Sequence, residues 1–106
     1  MNRTGKVFVK NIYAGIISQD ENGFKFIYDT EYIKNNILPV SLTIPLSEEP
    51  NTSKTMFAFF DGLIPEGWLL EIAEKNWKIN PKDRMGLLLT VCRDCVGSVH
   101  VEAVQD

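Results

Sequence analysis

The alternation between Lys6 and Tyr28 restricts the fold more than any other feature of this chain. Lys6-Val-Phe-Val-Lys10 reads at period two, with Val7 and Val9 on one face and Lys6 and Lys10 on the other, as in a strand with one buried face. Ala14 to Ser18 forms the second short run, and Phe24-Lys-Phe-Ile-Tyr28 forms the third, with aromatics at alternate positions. Asn11-Ile12 is the expected tight turn of the first gap, without the glycine usually wanted at its second position. Asp20-Glu-Asn-Gly23 is a stronger turn, because Asn-Gly tolerates positive φ. Strands separated by turns this short pair with their neighbours, so an antiparallel meander is expected.

The next stretch is mixed. A short helical turn is expected around Tyr32 and Ile33, capped by Asp29 or Thr30 and ended by Pro39. Val40-Ser-Leu-Thr-Ile44 alternates again and reads as a strand stopped by Pro45, and Ser47 to Lys54 reads as a solvated loop. Thr55 to Phe60 is apolar and suits strand or helix.

From Pro65 the period becomes helical. Pro65 suits a first turn, where its missing N–H costs nothing, and Glu66 favours the positive end of the helix dipole. Trp68, Leu69, Ile72, Ala73 and Trp77 fall on one apolar arc, with Leu69 and Ala73 near its centre and Trp68 at its edge. A second helix is expected from Asn80 as cap, Pro81 in the first position and Asp83 as a capping-box carboxylate. It carries Met85, Leu87, Leu88, Leu89 and Val91, so burial on nearly every side is expected. Arg93 to Gly97 reads as a loop, and Ser98 to Val104 as a closing strand. The fold class is therefore α+β: one domain over 1–106, with a small antiparallel sheet (meander plus closing strand) and two principal helices packed on it.

Composition narrows the function. The net charge is −3 and the basic residues are scattered, so no basic face is available for phosphates, and direct nucleic-acid contact is not expected. No run approaches the roughly 18 apolar residues of a membrane span. Two cysteines without a secretion signal fit a reducing cytoplasm.

No catalytic, cofactor-binding or metal-binding set is found. Cys92 and Cys95 have CxxC spacing, but zinc takes four ligands and His100 supplies only one more. The pair also follows an apolar helix, at the dipole end that does not stabilise a thiolate, so a structural role is expected. His100 alternates with Val99 and Val101 and is expected at solvent or a polar seam. Glu48-Glu49 is a solvated pair, since nothing drives the two acidities apart. Arg93-Asp94 reads as a loop clamp. Phosphate-cradling glycine loops and a nucleophile elbow are missing. Binding, rather than bond-making, is the expected activity.

Three segments together carry a resemblance: Ser41–Leu46 (SLTIPL), Phe59–Trp68 (FFDGLIPEGW) and Asp83–Val101 (DRMGLLLTVCRDCVGSVHV). Their order and spacing resemble the N-terminal subdomain of HipA-type kinase toxins. Gly62 stands where that family often has Asn, and Cys92 where it often has Gly. The chain's length makes it similar to the standalone HipS-like antitoxins of tripartite HipBST toxin–antitoxin systems. The resemblance implies inhibition of a HipT-like Ser/Thr kinase toxin, with a HipB-like DNA-binding protein joining a ternary complex.

Within Phe59–Trp68, Phe59, Leu63 and Ile64 are expected to point inward, with Asp61 and Gly62 making a turn. Glu66, Gly67 and Trp68 are expected to project at the helix start. Asp61, Gly62, Pro65, Glu66, Gly67 and Trp68 are therefore the candidate partner interface. A rigid exposed Trp makes a good anchor, although a Trp at helical spacing with Ile72 also packs well on its own sheet. Three other functions compete with the antitoxin reading: the regulatory subdomain of a full-length HipA-type kinase toxin, a redox or metal module built on Cys92 and Cys95, and a co-repressor that joins DNA through other proteins.

Overall fold

A computed structural model of the chain describes residues 3–35, 38–64, 83–91 and 98–104. Five strands form one antiparallel sheet: β1 (Arg3–Val9), β2 (Ile12–Asp20), β3 (Gly23–Tyr28), β4 (Asn51–Ser53) and β5 (Val99–Ala103). Their order across the sheet is β4-β3-β2-β1-β5. The described helices are α1 (Thr30–Asn35), α2 (Ala58–Asp61) and α3 (Arg84–Val91). The α+β class expected from the sequence is the one found.

The meander is present, with longer strands than the alternation alone indicated. Its first turn sits one residue earlier than expected. Lys10 and Asn11 are its central residues, both at positive φ (51° and 68°), and Ile12 already pairs with Val9. Two positive φ values match the right-handed twist of the flanking strands, and Asn tolerates the second one. At the second turn, Gly23 has φ 131°, and a Cβ there would lie 2.4 Å from the Ser53 carbonyl oxygen. No other residue combines that backbone angle with that closeness.

The β1–β2 register shifts between Val7 and Phe8, because Val7 faces Gly15 while Phe8 faces Tyr13. Ala14 is the extra residue, and its carbonyl accepts the Asp29 N–H at 2.8 Å. The irregularity thus fixes where β3 gives way to α1.

Two stretches differ from the expected strand and loop. Val40–Ile44 is a turn with an isolated Ser41–Ile44 bridge rather than a strand. Its groups are satisfied by side chains: Tyr28 Oη accepts the Val40 N–H at 3.0 Å and donates to the Ile44 carbonyl. Ser41 Oγ takes the Thr43 N–H at 3.2 Å. Val40 and Ile44 are buried but Leu42 is 93% exposed, whereas a strand would have put all three on one face. Conversely, the expected loop Ser47–Lys54 contains β4, which pairs Asn51–Ser53 with Phe24–Phe26. Pairing, rather than apolar content, recruits this polar segment to the edge.

The core lies on one face of the sheet. Val7, Ile17, Phe26 and Val101 are fully buried there and meet Phe60 of α2 and Met85, Leu87 and Leu88 of α3. Gly5 permits close approach, since a Cβ would stand 2.6 Å from Leu89 Cδ2 and 2.9 Å from Val101 Cγ1. Val99 and Val101 point inward as expected. The opposite face carries Phe8 stacked on His100, with ring centroids 4.8 Å apart. His100 Nε2 also lies 3.2 Å from Glu102 Oε2, so it is half-covered by both neighbours.

Two expectations for α3 are corrected. Asp83 is itself the residue that caps the helix, because its Oδ1 accepts the Gly86 N–H at 3.1 Å. Its carboxylate also holds Arg3 of β1, a tie that local pattern does not reveal. Nor is α3 apolar all round, since Thr90 is exposed and Arg84, Gly86 and Leu89 are only half-buried. The expected helix from Pro65 and the Arg93–Gly97 loop lie outside the described residues.

Candidate functional site

Phe57 to Ile64 divides its side chains between core and surface. Helical turns run through it: Asp61 N–H bonds to Phe57 O at 2.9 Å, Leu63 N–H to Phe60 O at 3.1 Å and Ile64 N–H to Asp61 O at 3.3 Å. At about 100° per residue, positions four apart share a stripe. Phe60 and Ile64 share the buried stripe, with Phe60 fully covered and in aromatic contact with Phe26. Phe59 and Leu63 share the neighbouring stripe and are only half-buried. The inward set expected from the sequence, Phe59, Leu63 and Ile64, is therefore corrected: Phe60 is the main core anchor, and Phe59 and Leu63 face an open groove.

That groove has a volume of about 430 Å³ and a largely apolar lining that includes Ile12, Tyr32, Leu38, Phe59, Leu63 and Val99. Ile12 is 50% exposed and Leu38 is 70% exposed, which is unusual for large aliphatic side chains at the rim of a cavity. Rigid supports hold its walls. Tyr32 is buried, stacks on Tyr28 with ring centroids 5.9 Å apart and bonds through its hydroxyl to the Leu38 carbonyl at 3.1 Å. Burial pushes the phenol acidities of Tyr28 and Tyr32 to higher pH, so both rings keep their hydroxyl protons through the neutral range. The groove is thus preformed, with its aliphatic rim held by hydrogen bonds that leave the apolar surface open.

Of the candidate interface residues, two lie in described structure. Asp61 ends α2 and accepts the Arg84 Nε–H at 2.5 Å, which ties the loop to α3. Its side chain is still 46% exposed, so one edge remains available to solvent. Gly62 is exposed at φ −70°, a conformation open to any residue, so the turn does not require glycine there. Pro65, Glu66, Gly67 and Trp68 lie outside the described residues, as do Cys92 and Cys95. The structure therefore places Asp61 and Gly62 beside the groove-facing Phe59 and Leu63. Sequence reasoning missed Ile12, which reads as part of the first turn, and Leu38, which carries no periodic signal.

Among the described residues, no group of three or more His, Cys, Asp or Glu side chains is placed to hold a metal ion. Among the same residues, no helix is long and apolar enough to cross a membrane.

Comparison with known proteins gives this geometry a family. A protein of Haemophilus influenzae, itself uncharacterized, is 33% identical over 100 residues, which span 94% of this chain and 92% of the relative. A solved structure described as the N-terminal domain of HipA toxin superposes with a TM-score of 0.76 at 30% identity, covering 98% of this chain and 94% of that one. The family model for the HipA N-terminal domain matches residues 5–102. The match takes in the meander, the groove and the closing strand, and the chain belongs to the HipA N-terminal domain family.

Proposed function

We propose that this domain is an antitoxin, which binds a HipT-type Ser/Thr kinase toxin by protein–protein contact and inhibits it. In this reading a HipB-like DNA-binding protein completes a ternary complex, and the domain works in the cytoplasm without catalysis of its own. One observation carries the reading: the Phe59–Ile64 segment is anchored by Phe60 and Ile64 while Phe59 and Leu63 face a preformed apolar groove. An apolar groove is one of the recurring ways in which a domain holds an apolar stretch of another polypeptide. Membership of the HipA N-terminal domain family supports a kinase of the HipA type as that polypeptide. Asp61, Gly62, Pro65, Glu66, Gly67 and Trp68 continue the same segment and form the proposed contact strip.

The proposal is tested by co-expressing the chain with a HipT-type kinase, purifying the two together and measuring phosphorylation with and without it. Stable co-purification and suppressed phosphorylation are expected. A kinase of unchanged activity in saturating amounts of the domain ends the proposal. Trp68→Ala is expected to weaken capture by roughly 2–4 kcal/mol if Trp68 is the anchor. A folded variant that still inhibits fully removes that role.

A second reading is favoured by the matched structure, which is the N-terminal domain of a toxin. The domain would then be the regulatory subdomain of a HipA-type kinase and act in cis. Supplying it as a separate chain distinguishes the two, because only an antitoxin neutralises the kinase in trans.

A further inference from the structure

The groove adjoins a second depression, and the two carry opposite charges. Ile12 and Tyr32 line both. Lys10 is the only charged residue among those described in the lining of the first. Asp29 and Glu31 line the second, which has a volume of about 360 Å³. The ion pairs among the described residues are Arg3–Asp83, Arg84–Asp61 and His100–Glu102, so Lys10, Asp29 and Glu31 take part in none of them.

The main chain that carries each charge is fixed. Lys10 sits in the left-handed region at the hairpin tip, and its N–H bonds to the Ser98 carbonyl at 2.7 Å. Asp29 is fixed by its N–H to the Ala14 carbonyl and by its own carbonyl, which accepts the Ile33 N–H at 3.1 Å. Glu31 belongs to the first turn of α1. Burial, and behind it the nearby Asp29 carboxylate, raise the pKa of Tyr13, which lines the same depression.

We infer that the paired depressions dock a polypeptide segment whose apolar side chains lie between a carboxylate and a basic group. The carboxylate meets Lys10 and the base meets Asp29 and Glu31. Apolar contact supplies most of the affinity, and the two charges choose the segment and its direction. The inference rests on the reading of the groove as a protein-docking surface and adds which segment it accepts.

The test uses the whole chain, labelled with ¹⁵N, titrated with three synthetic tetrapeptides. They are acetyl-Glu-Leu-Phe-Leu-amide and its Lys and Gln twins. The Glu and Lys peptides are each expected to bind about two- to fivefold more tightly than the Gln twin, as for an exposed charge pair. Amide shifts are expected at Val9, Lys10, Tyr32, Val40 and Val99. Added salt is expected to shrink both preferences. Lys10→Glu is expected to abolish the advantage of the Glu peptide. The double variant Asp29→Asn, Glu31→Gln is expected to abolish that of the Lys peptide. Lys10 and Glu31 are exposed and Asp29 is half-buried, and well-dispersed spectra of the variants serve as the folding control. Equal binding of the three peptides, or shifts confined to other residues, overturns the inference. No kinase is present in the titration, so failure here is separate from failure of kinase inhibition.

Discussion

Arg3 and Asp83 stand 80 positions apart in the chain and share a two-pronged ion pair, with Arg3 Nη1 at 2.8 Å from Asp83 Oδ2 and Nη2 at 2.5 Å from Oδ1. Arg3 also donates to Gln19, and Asp83 also accepts the Gly86 N–H. One carboxylate thus caps α3 and fastens it to β1, at the end of the sheet where β1 pairs with β2. Both side chains are about one-third exposed, so water screens the pair in part.

Because hydrogen bonding from Arg3 holds Asp83 below the usual carboxylate range, the pair stabilises the fold most when this group is ionised. The contribution is complete above the unfolded value of about 4 and fades as pH falls through the lower folded value. Asp83→Asn is expected to cost about 1 kcal/mol near neutrality. Urea midpoints of the two proteins, measured along a descending pH series, are expected to converge in acid. A gap that stays constant with pH removes the ionic explanation.

Tyr28→Phe keeps the ring and removes only the hydroxyl. The Val40 N–H loses its partner in a buried position, as does the Ile44 carbonyl. A loss of about 1–3 kcal/mol is expected, read from chemical denaturation. Faster amide exchange at Val40 is expected as well, because the 38–46 turn has no ladder to fall back on.

Gly5→Ala places a methyl group against Leu89 and Val101, at 2.6 Å and 2.9 Å. Overpacking of this sort is expected to destabilise by about 1–3 kcal/mol. Leu89→Ala in the same protein is expected to recover part of the loss, because it empties the space that the methyl group needs. Thermal midpoints of the two single variants and the double variant check the coupling.

Leu42→Ser separates surface from stability. Leu42 is 93% exposed, so the change is expected to move folding free energy by no more than about 0.5 kcal/mol. Phe60→Ala removes a fully buried ring and is expected to cost about 3–5 kcal/mol. A Leu42→Ser protein that unfolds as easily as Phe60→Ala shows that the pinned turn has been misread.

The sequence by itself determined what is local. Alternation and short gaps specify the meander, because strands joined by tight turns have no other neighbour within reach. Asn22-Gly23 marks its turn through backbone angles that only glycine adopts readily, and Val99-His-Val101 shows its buried face by parity alone. Only the tertiary structure decided what depends on partners distant in the chain. Val40–Ile44 has the period of a strand, but Tyr28 takes its hydrogen bonds and folds it into a turn. Asn51–Ser53 has the composition of a loop, but β3 offers an edge and makes it a strand. Phe59 and Phe60 are identical side chains in adjacent positions, and one is buried while the other lines the groove, because a helical turn against Phe26 leaves room for only one of them. The groove has the same origin: Ile12, Leu38 and Leu63 meet only after the sheet, α1 and α2 have packed, and no periodicity within any one segment encodes a surface shared among three.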